Sequence, residues 1–385
     1  MYRRKRRQLS VISCVFVLIF ITGTFGTFHA IARNTGKTIK TPTVPVAARI
    51  AKWYNNCDAA ISLTYDEGNP ASELNRKINT YLIKNRMTMD YEVVTHDYRL
   101  YPHLKTYLLN DMIPAGLSYF GHGHKHINHD KVSYQEALAS FKRCYKAMRE
   151  FGLQPVAYAY PKGAGNRPET RKALEEAGFL SGRLHFTKEM THPYIMPGAQ
   201  TEPVDWYALP TLVMQDYDFS QCQKCVNNNE ELILYLDEAL RQNAWLILTY
   251  HAIGFKQGYG HYKLVEFKHD IRSIKERHFW NASMNAVTLY TRERQHAEVS
   301  LAAITGRKKH IKEVRIIVTD GLTDPRYDQP LTILLDVPEY WNNQTLALVE
   351  KGKIIAAFKT AALKGMISIK PDGQERRIIP TAKRS

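Results

Sequence analysis

The sequence predicts an α/β domain built on a parallel sheet or barrel, followed by a small all-β sandwich domain. Between residues 53 and 297, short apolar runs alternate with amphipathic helical patterns, as expected when each parallel strand is followed by a helical crossover. After residue 297 the texture changes to short strand-like runs split by Gly, Pro, Asn and Asp, the pattern of an antiparallel sandwich. The length of 385 residues and the 44% hydrophobic content allow a large core, in one large domain or two smaller ones.

Five cations, Arg3, Arg4, Lys5, Arg6 and Arg7, precede an uncharged stretch from Gln8 to Ala32 whose apolar core runs from Leu9 to Ile21. A charged start, an apolar middle and the small-x-small triplet Ala30-Ile31-Ala32 fit a secretory signal, and the uncharged run is also long enough to cross a bilayer. Residues 1–32 therefore read as a signal peptide, or as a membrane anchor if uncleaved. In both cases the rest of the chain is extracytoplasmic, whether secreted, periplasmic or anchored, because the basic flank stays inside. Residues 33–52, polar with two prolines and little periodicity, read as a linker.

The folded part is expected from Trp53. AAISLTY (59–65) reads as a buried strand, residues 134–152 as an amphipathic helix opened by Ser133, and PVAYAY (155–160) as a strand. Residues 167–179 and 229–242 read as helices, and AWLILTYH (244–251) as a strand. This domain spans 53–297. The β domain, 298–385, holds the runs VRIIVTD, LTILLDV, LALVEKG, KIIAAFK and GMISIK.

The formal charge is +16, but the leader supplies five of those charges. No recognisable nucleic-acid module interleaves the basic residues with base-stacking aromatics, so no nucleic-acid partner is expected. Of five cysteines, Cys14 lies in the leader, and Cys222-Gln-Lys-Cys225 is a single CxxC without a second pair, too little for a zinc ribbon. It reads as a local disulfide in an oxidising compartment or as two ordinary thiols.

Five short motifs carry the chemistry. Asp66-Glu67 follows the predicted strand 59–65, and paired acids at a strand's C-terminal end suit one metal ligand and one proton acceptor. The segment Gly121–Asp130 holds His122, His124, His126 and His129, four of the fifteen histidines within eight residues. His122 and His126, at i,i+4, can converge on one ion if the segment is helical or turn-like. Tyr160-Pro161-Lys162-Gly163 ends another strand in a sharp turn. Asp205-Trp206 offers a carboxylate to orient a histidine and an aromatic wall for a sugar face. His251 closes the strand 244–251.

In type and order these motifs resemble the polysaccharide deacetylase family (NodB-homology, carbohydrate esterase family 4), with its T-F-D-D-G, H-x-x-x-H, aromatic-Pro-aromatic-Gly, Asp-Trp and Leu-x-His succession. The resemblance covers about Trp53 to Gln295 and includes Phe279-Trp280, Tyr290 and Arg292-Glu293-Arg294. It implies a distorted (β/α) barrel of the NodB-homology type. It also implies a metal-dependent hydrolase that removes N-acetyl groups from an extracytoplasmic amino-sugar polysaccharide of the poly-N-acetylglucosamine, chitin or peptidoglycan type. Carried over by position, Asp66 is the catalytic base and His251 the catalytic acid. Glu67, His122 and His126 are the metal ligands, while Tyr160, Pro161, Asp205 and Trp206 bind or orient substrate, with Asp205 placed to tune His251. The implied cofactor is a divalent ion, zinc first, with cobalt or nickel acceptable to the same donors.

Two positions depart from the family pattern. Glu67 stands where the family has Asp, and Ala159 stands where many members carry an arginine that braces the catalytic Asp. O-acetyl ester hydrolysis and a catalytically weak glycan-binding surface protein are the alternative functions.

Overall fold

The computed structural model describes residues 46–66, 69–186, 190–217, 225–306 and 310–381. The 1–32 leader, most of the expected linker, Glu67 and Cys222 lie outside the described residues. Cys225 is disulfide-bonded, and Cys57 and Cys144 are free thiols. Among the described residues no helix is long and apolar enough to cross a membrane.

The strands, in chain order, are β1 (Ala47–Ile50), β2 (Ala59–Tyr65), β3 (Asp90–Val93), β4 (Ser118–Gly121), β5 (Ala157–Ala159), β6 (Ser181–His185), β7 (Leu209–Met214), β8 (Trp245–Tyr250) and β9 (Phe279–Asn281), then β10 (Glu298–Thr305), β11 (Ile311–Thr319), β12 (Leu331–Asp336), β13 (Thr345–Glu350), β14 (Lys353–Lys359), β15 (Lys364–Ile369) and β16 (Arg376–Pro380). The helices are α1 (Glu73–Lys84), α2 (Thr95–Leu100), α3 (Pro102–Tyr107), α4 (Tyr134–Glu150), α5 (Pro168–Glu176), α6 (Asn229–Arg241), α7 (Leu264–Lys275) and α8 (Met284–His296).

Strands β2 to β8 pair in parallel, each with its neighbour in sequence, and β2 closes the ring by pairing with both β8 and β3. This is the expected distorted (β/α) barrel. The distortion has a visible cause: only Thr64 and Tyr65 of β2 pair with β3, because Ala59–Ile61 pair with β9. Alternation along the strands sorts the side chains. Ile61, Leu63, Tyr65, Tyr158, Leu246, Leu248 and Tyr250 join the core under the helices. Ala60, Phe120, Ala157, Ala159, Leu209, Trp245 and Ile247 form a second cluster with Trp53 and Met284 inside the ring. Period-two alternation then places Thr64, Asp66, Glu92, His122, Arg183, His185, Thr249 and His251 on the inward face as well.

The helices start where local chemistry permits. Ser133 accepts from the Glu136 N–H while Glu136 returns a bond to the Ser133 N–H, a capping box of which the hydroxyl alone contributes about 1 kcal/mol.

The remaining strands form two antiparallel sheets, β1-β12-β15 and β10-β11-β16-β13-β14. Their inner faces share one core, with Ile333 and Ile367 from the first sheet and Val314, Leu348 and Ile378 from the second. One expectation is corrected here: Ala47–Ile50 is not linker but a strand, paired antiparallel with Ile333–Asp336. Its partner lies far along the chain, and four residues carry too little periodicity to announce a strand. Barrel and sandwich also interlock through side chains. Tyr290 of α8 packs in the sandwich core and donates its hydroxyl to the Ala51 carbonyl, and Arg326 donates to the carbonyls of Pro155 and Gly178.

Candidate active site

The C-terminal ends of β2, β3, β4, β6 and β8 open into a cavity of about 780 Å³ lined by Asp66, Glu92, His122, His126, His185 and His251, with Asp97, Tyr160, Lys162 and Tyr259 at its walls. Beneath it, the Thr64, Thr249 and Thr211 hydroxyls form a buried chain with spacings of 3.0 and 2.8 Å. Thr64 and Thr211 also donate to strand carbonyls. This leaves a satisfied polar floor rather than a cavity.

His122 continues the inward face of β4. Its Nδ1 lies 3.0 Å from the Ala159 carbonyl, which can only accept, so Nδ1 carries the proton and Nε2 presents its lone pair to the cavity. Burial, opposed in part by Asp66, pushes this imidazole down to about 3, so it is neutral and competent as a ligand. His126 arrives by a turn rather than a helix. Gly123 makes that turn possible at φ +98°, where an added Cβ would sit 2.9 Å from the Lys125 carbonyl oxygen. The Thr95 and His96 amides hold the loop through the Gly123 and His124 carbonyls. The His122 and His126 rings end 5.0 Å apart. The other two histidines of the tract face elsewhere: His124 bonds Thr95, and His129 is buried against Ser140 and stacked on Phe141.

Asp66 is bonded to the guanidinium of Arg183, a residue buried completely on β6. Burial alone would raise the Asp66 carboxyl, but Arg183, with His122, His251 and His185, holds it down at about 2. Ala159 and Arg183 are register partners on β5 and β6, so their side chains leave the same face side by side. The arginine missing at 159 is thus present on the adjacent strand, its guanidinium carbon 5.1 Å from the centre of the Phe120 ring. The small Ala157 and Ala159 leave that part of the interior open to it.

His251 Nε2 is 4.0 Å from Asp66 Oδ2. Gly260 at φ +60° packs against its ring, where an added Cβ would come within 3.1 Å of Nδ1. Burial lowers the His251 imidazole and Asp66 partly offsets this. His185 stands edge-on to His251 and is lowered to about 4 by burial, then by Arg183 and His251.

The cavity thus gathers Asp66, His122, His126, His251 and Tyr160, whose hydroxyl is tied to the Tyr207 carbonyl. Pro161 is buried at the start of the turn beside it. Asp205 and Trp206 do not line it. The Asp205 carboxylate pairs with Arg171 at 3.0 Å and caps the Tyr207 amide, and the Trp206 ring lies under the Arg292 guanidinium. Asp205 is committed to its own loop, so the expectation that it tunes His251 has no contact behind it.

Glu92, Arg183 and His185 escaped the sequence reading. Their signal was weak but present: Arg183 and His185 are alternate residues of one short strand, the spacing of two inward positions.

Among the described residues two groups could hold a cation, Glu92 with His122 and His126, and Asp66 with His185 and His251, the ligand atoms in each lying within 4.8 Å of one another. The first fits a metal better, because it has a neutral histidine fixed by a carbonyl on its far nitrogen, the usual outer support of a metal-bound imidazole. In the second group Asp66 is already bound to Arg183.

Residues 54–181 match the sequence model of the family described as polysaccharide deacetylase. No curated protein matches the chain significantly. Among solved structures, a Mycobacterium smegmatis protein assigned as a polysaccharide deacetylase aligns with a TM-score of 0.45 and 17% identity over 64% of this chain and 94% of that one. A Pseudomonas aeruginosa protein with the same assignment gives 0.46 and 14% over 64% and 95%. A family 4 carbohydrate esterase from Streptomyces lividans, solved with acetate, gives 0.39 and 13% over 60% and 95%.

Proposed function

We propose, from the match of residues 54–181 to the polysaccharide deacetylase family model, that this chain is a metal-dependent hydrolase removing N-acetyl groups from an extracytoplasmic amino-sugar polysaccharide. The observation that carries this reading is the meeting of Asp66, His251 and the His122–His126 pair in one cavity at the C-terminal ends of parallel strands.

His122 and His126 would hold the ion with a carboxylate, which the resemblance assigns to Glu67. Zinc suits these donors, as do cobalt and nickel. When bound, such an ion polarises an acetyl carbonyl and acidifies a water. Asp66 accepts the proton of the attacking water, and Arg183 fixes its carboxylate in place. Arg183 keeps that carboxylate ionised, the form that can accept a proton. His251, in the protonated form that the neighbouring Asp66 carboxylate favours, delivers its proton to the departing nitrogen while Asp66 keeps the one taken from water, leaving a free amino sugar and acetate. Tyr259, exposed at the cavity rim and edge-on to His251, offers a face on which a sugar ring can lie.

The glycan-binding alternative drew on Glu67 and Ala159, and Arg183, the register partner of Ala159 and bonded to Asp66, supports the catalytic reading at the second of these positions. The extracytoplasmic placement rests on the 1–32 leader pattern. The test is acetate release from acetylated poly-glucosamine, chitin oligomers and peptidoglycan, with and without a chelator, followed by analysis of the product. A new free amine and chelator-sensitive release are expected. A new hydroxyl would transfer the reading to ester hydrolysis, and bound glycan with no acetate released under added zinc or cobalt would overturn it.

A further inference from the structure

We infer that Glu92 on β3, rather than Glu67, supplies the carboxylate ligand of a divalent cation held with His122 and His126. This rests on the metal-dependent reading above and sharpens it.

Glu92 is the last inward-facing residue of β3. Tyr91 is paired with Tyr65, and Glu92 is paired with Phe120. Its side chain therefore rises between Asp66 on one side and His122 on the other. Its Oε2 lies 3.2 Å from His122 Nε2, with both side chains less than a tenth exposed. The Ala159 carbonyl holds the proton on Nδ1, so the atom aimed at the carboxylate is a lone pair. A buried carboxylate oxygen and an imidazole lone pair at this distance share either a proton or a cation, and a divalent ion placed between them is held by both. Ligand atoms about 2.0–2.2 Å from a tetrahedral ion stand about 3.3–3.5 Å apart, close to the spacing found. The third donor, His126, has its ligand atom within 4.8 Å of the other two, and its ring is more exposed, on the solvent side. One carboxylate and two imidazoles make a borderline site that takes zinc, cobalt or nickel in preference to magnesium or calcium.

Glu92 belongs to none of the five sequence motifs, and a carboxylate at the end of a short strand reads as a solvated residue. With the ligand supplied from β3, the chain no longer needs the family's Asp at position 67, which accounts for the departure there.

The experiment uses the full chain, stripped with a chelator and titrated with zinc in competition with a chromophoric chelator, and with cobalt followed by its visible absorption. Glu92→Gln preserves shape and should weaken zinc more than about 100-fold, beyond the 10–100-fold expected of an outer-sphere partner, and should change the cobalt spectrum. Glu67→Gln should stay within a few-fold of wild type. If Glu92→Gln does not fold, Glu92→Asp, which withdraws the carboxylate by one methylene, is held to the same criteria. Loss of the ion from Glu67→Gln with retention in the Glu92 variant overturns the assignment, as does a Glu92 variant within a few-fold of wild type while His122→Ala abolishes binding. Retention of wild-type affinity by both His122→Ala and His126→Ala would instead refute the metal reading on which it stands.

Discussion

Replacing Arg183 by Met removes the counter-charge of Asp66 while largely filling its space, and the structure sets the size of the effect. Arg183 is fully buried and the Asp66 side chain is 7% exposed, so solvent cannot take over the guanidinium's role. Breaking a buried pair by removing one partner costs about 3–5 kcal/mol. An independent route agrees: if Asp66 escapes by binding a proton, neutralising a carboxyl whose ordinary value is about 3.9 costs about 4 kcal/mol at neutral pH. A protonated Asp66 cannot accept a proton, so kcat should fall by about 10²–10⁴ at pH 7, and should recover as pH rises because burial then dominates the carboxyl. Urea unfolding and acetate release across pH measure both effects. Since Ala159 and Arg183 share one register position, the double change A159R/R183M should return part of each loss. The reasoning is refuted if R183M unfolds within about 1 kcal/mol of wild type and keeps its kcat, or if its loss of activity does not depend on pH.

Other outcomes follow from the same geometry. His122→Ala and His126→Ala should lose metal and activity together, whereas His129→Ala should keep the ion and lose about 2–4 kcal/mol of stability through its Ser140 and Phe141 contacts; an H129A protein that loses the ion while H122A keeps it would reverse the assignment. Asp66→Asn should retain metal while kcat drops about 10²–10⁴-fold, and release of the ion by that variant would make Asp66 a ligand instead of the base. Burial raises Glu293 to about 8 in the folded state, where it accepts the Gln329 amide. Its contribution is therefore greatest below its ordinary value of about 4.5 and declines as pH rises toward 8, so Glu293→Gln should flatten stability across that window; an unchanged pH dependence would exclude it as the source. A chain ending at residue 297 should be poorly soluble, because β1 loses β12 and Tyr290 loses the sandwich core; a monomeric, cooperatively melting product would support independent domains.

The buried run Ala59–Tyr65, the capping pair Ser133 and Glu136 and the helix 229–241 were legible because each signal is complete within one turn or one strand. The His122–His126 pair was legible for a related reason: both residues sit on one short loop whose ends are fixed by a strand and a capped helix. Asp66 and His251 were readable from their places after apolar runs, since a strand's end points its next residue into the barrel mouth.

Local sequence thus determined most of the barrel's strands and helices and which strand ends bring candidate residues to the cavity, because hydrophobic period, caps and turns act over a few residues. Tertiary structure alone decided who stands beside whom. Arg183 reaches Asp66 because closure of the ring brings the inward faces of β6 and β2 together, Glu92 meets His122 because β3 lies between β2 and β4, and Ala47–Ile50 becomes a strand because β12 is there to pair with it. Asp205 and Trp206 turned away because Arg171 and Arg292 hold them. Strand register and barrel closure depend on packing summed over the whole ring, and no window along the chain contains that sum.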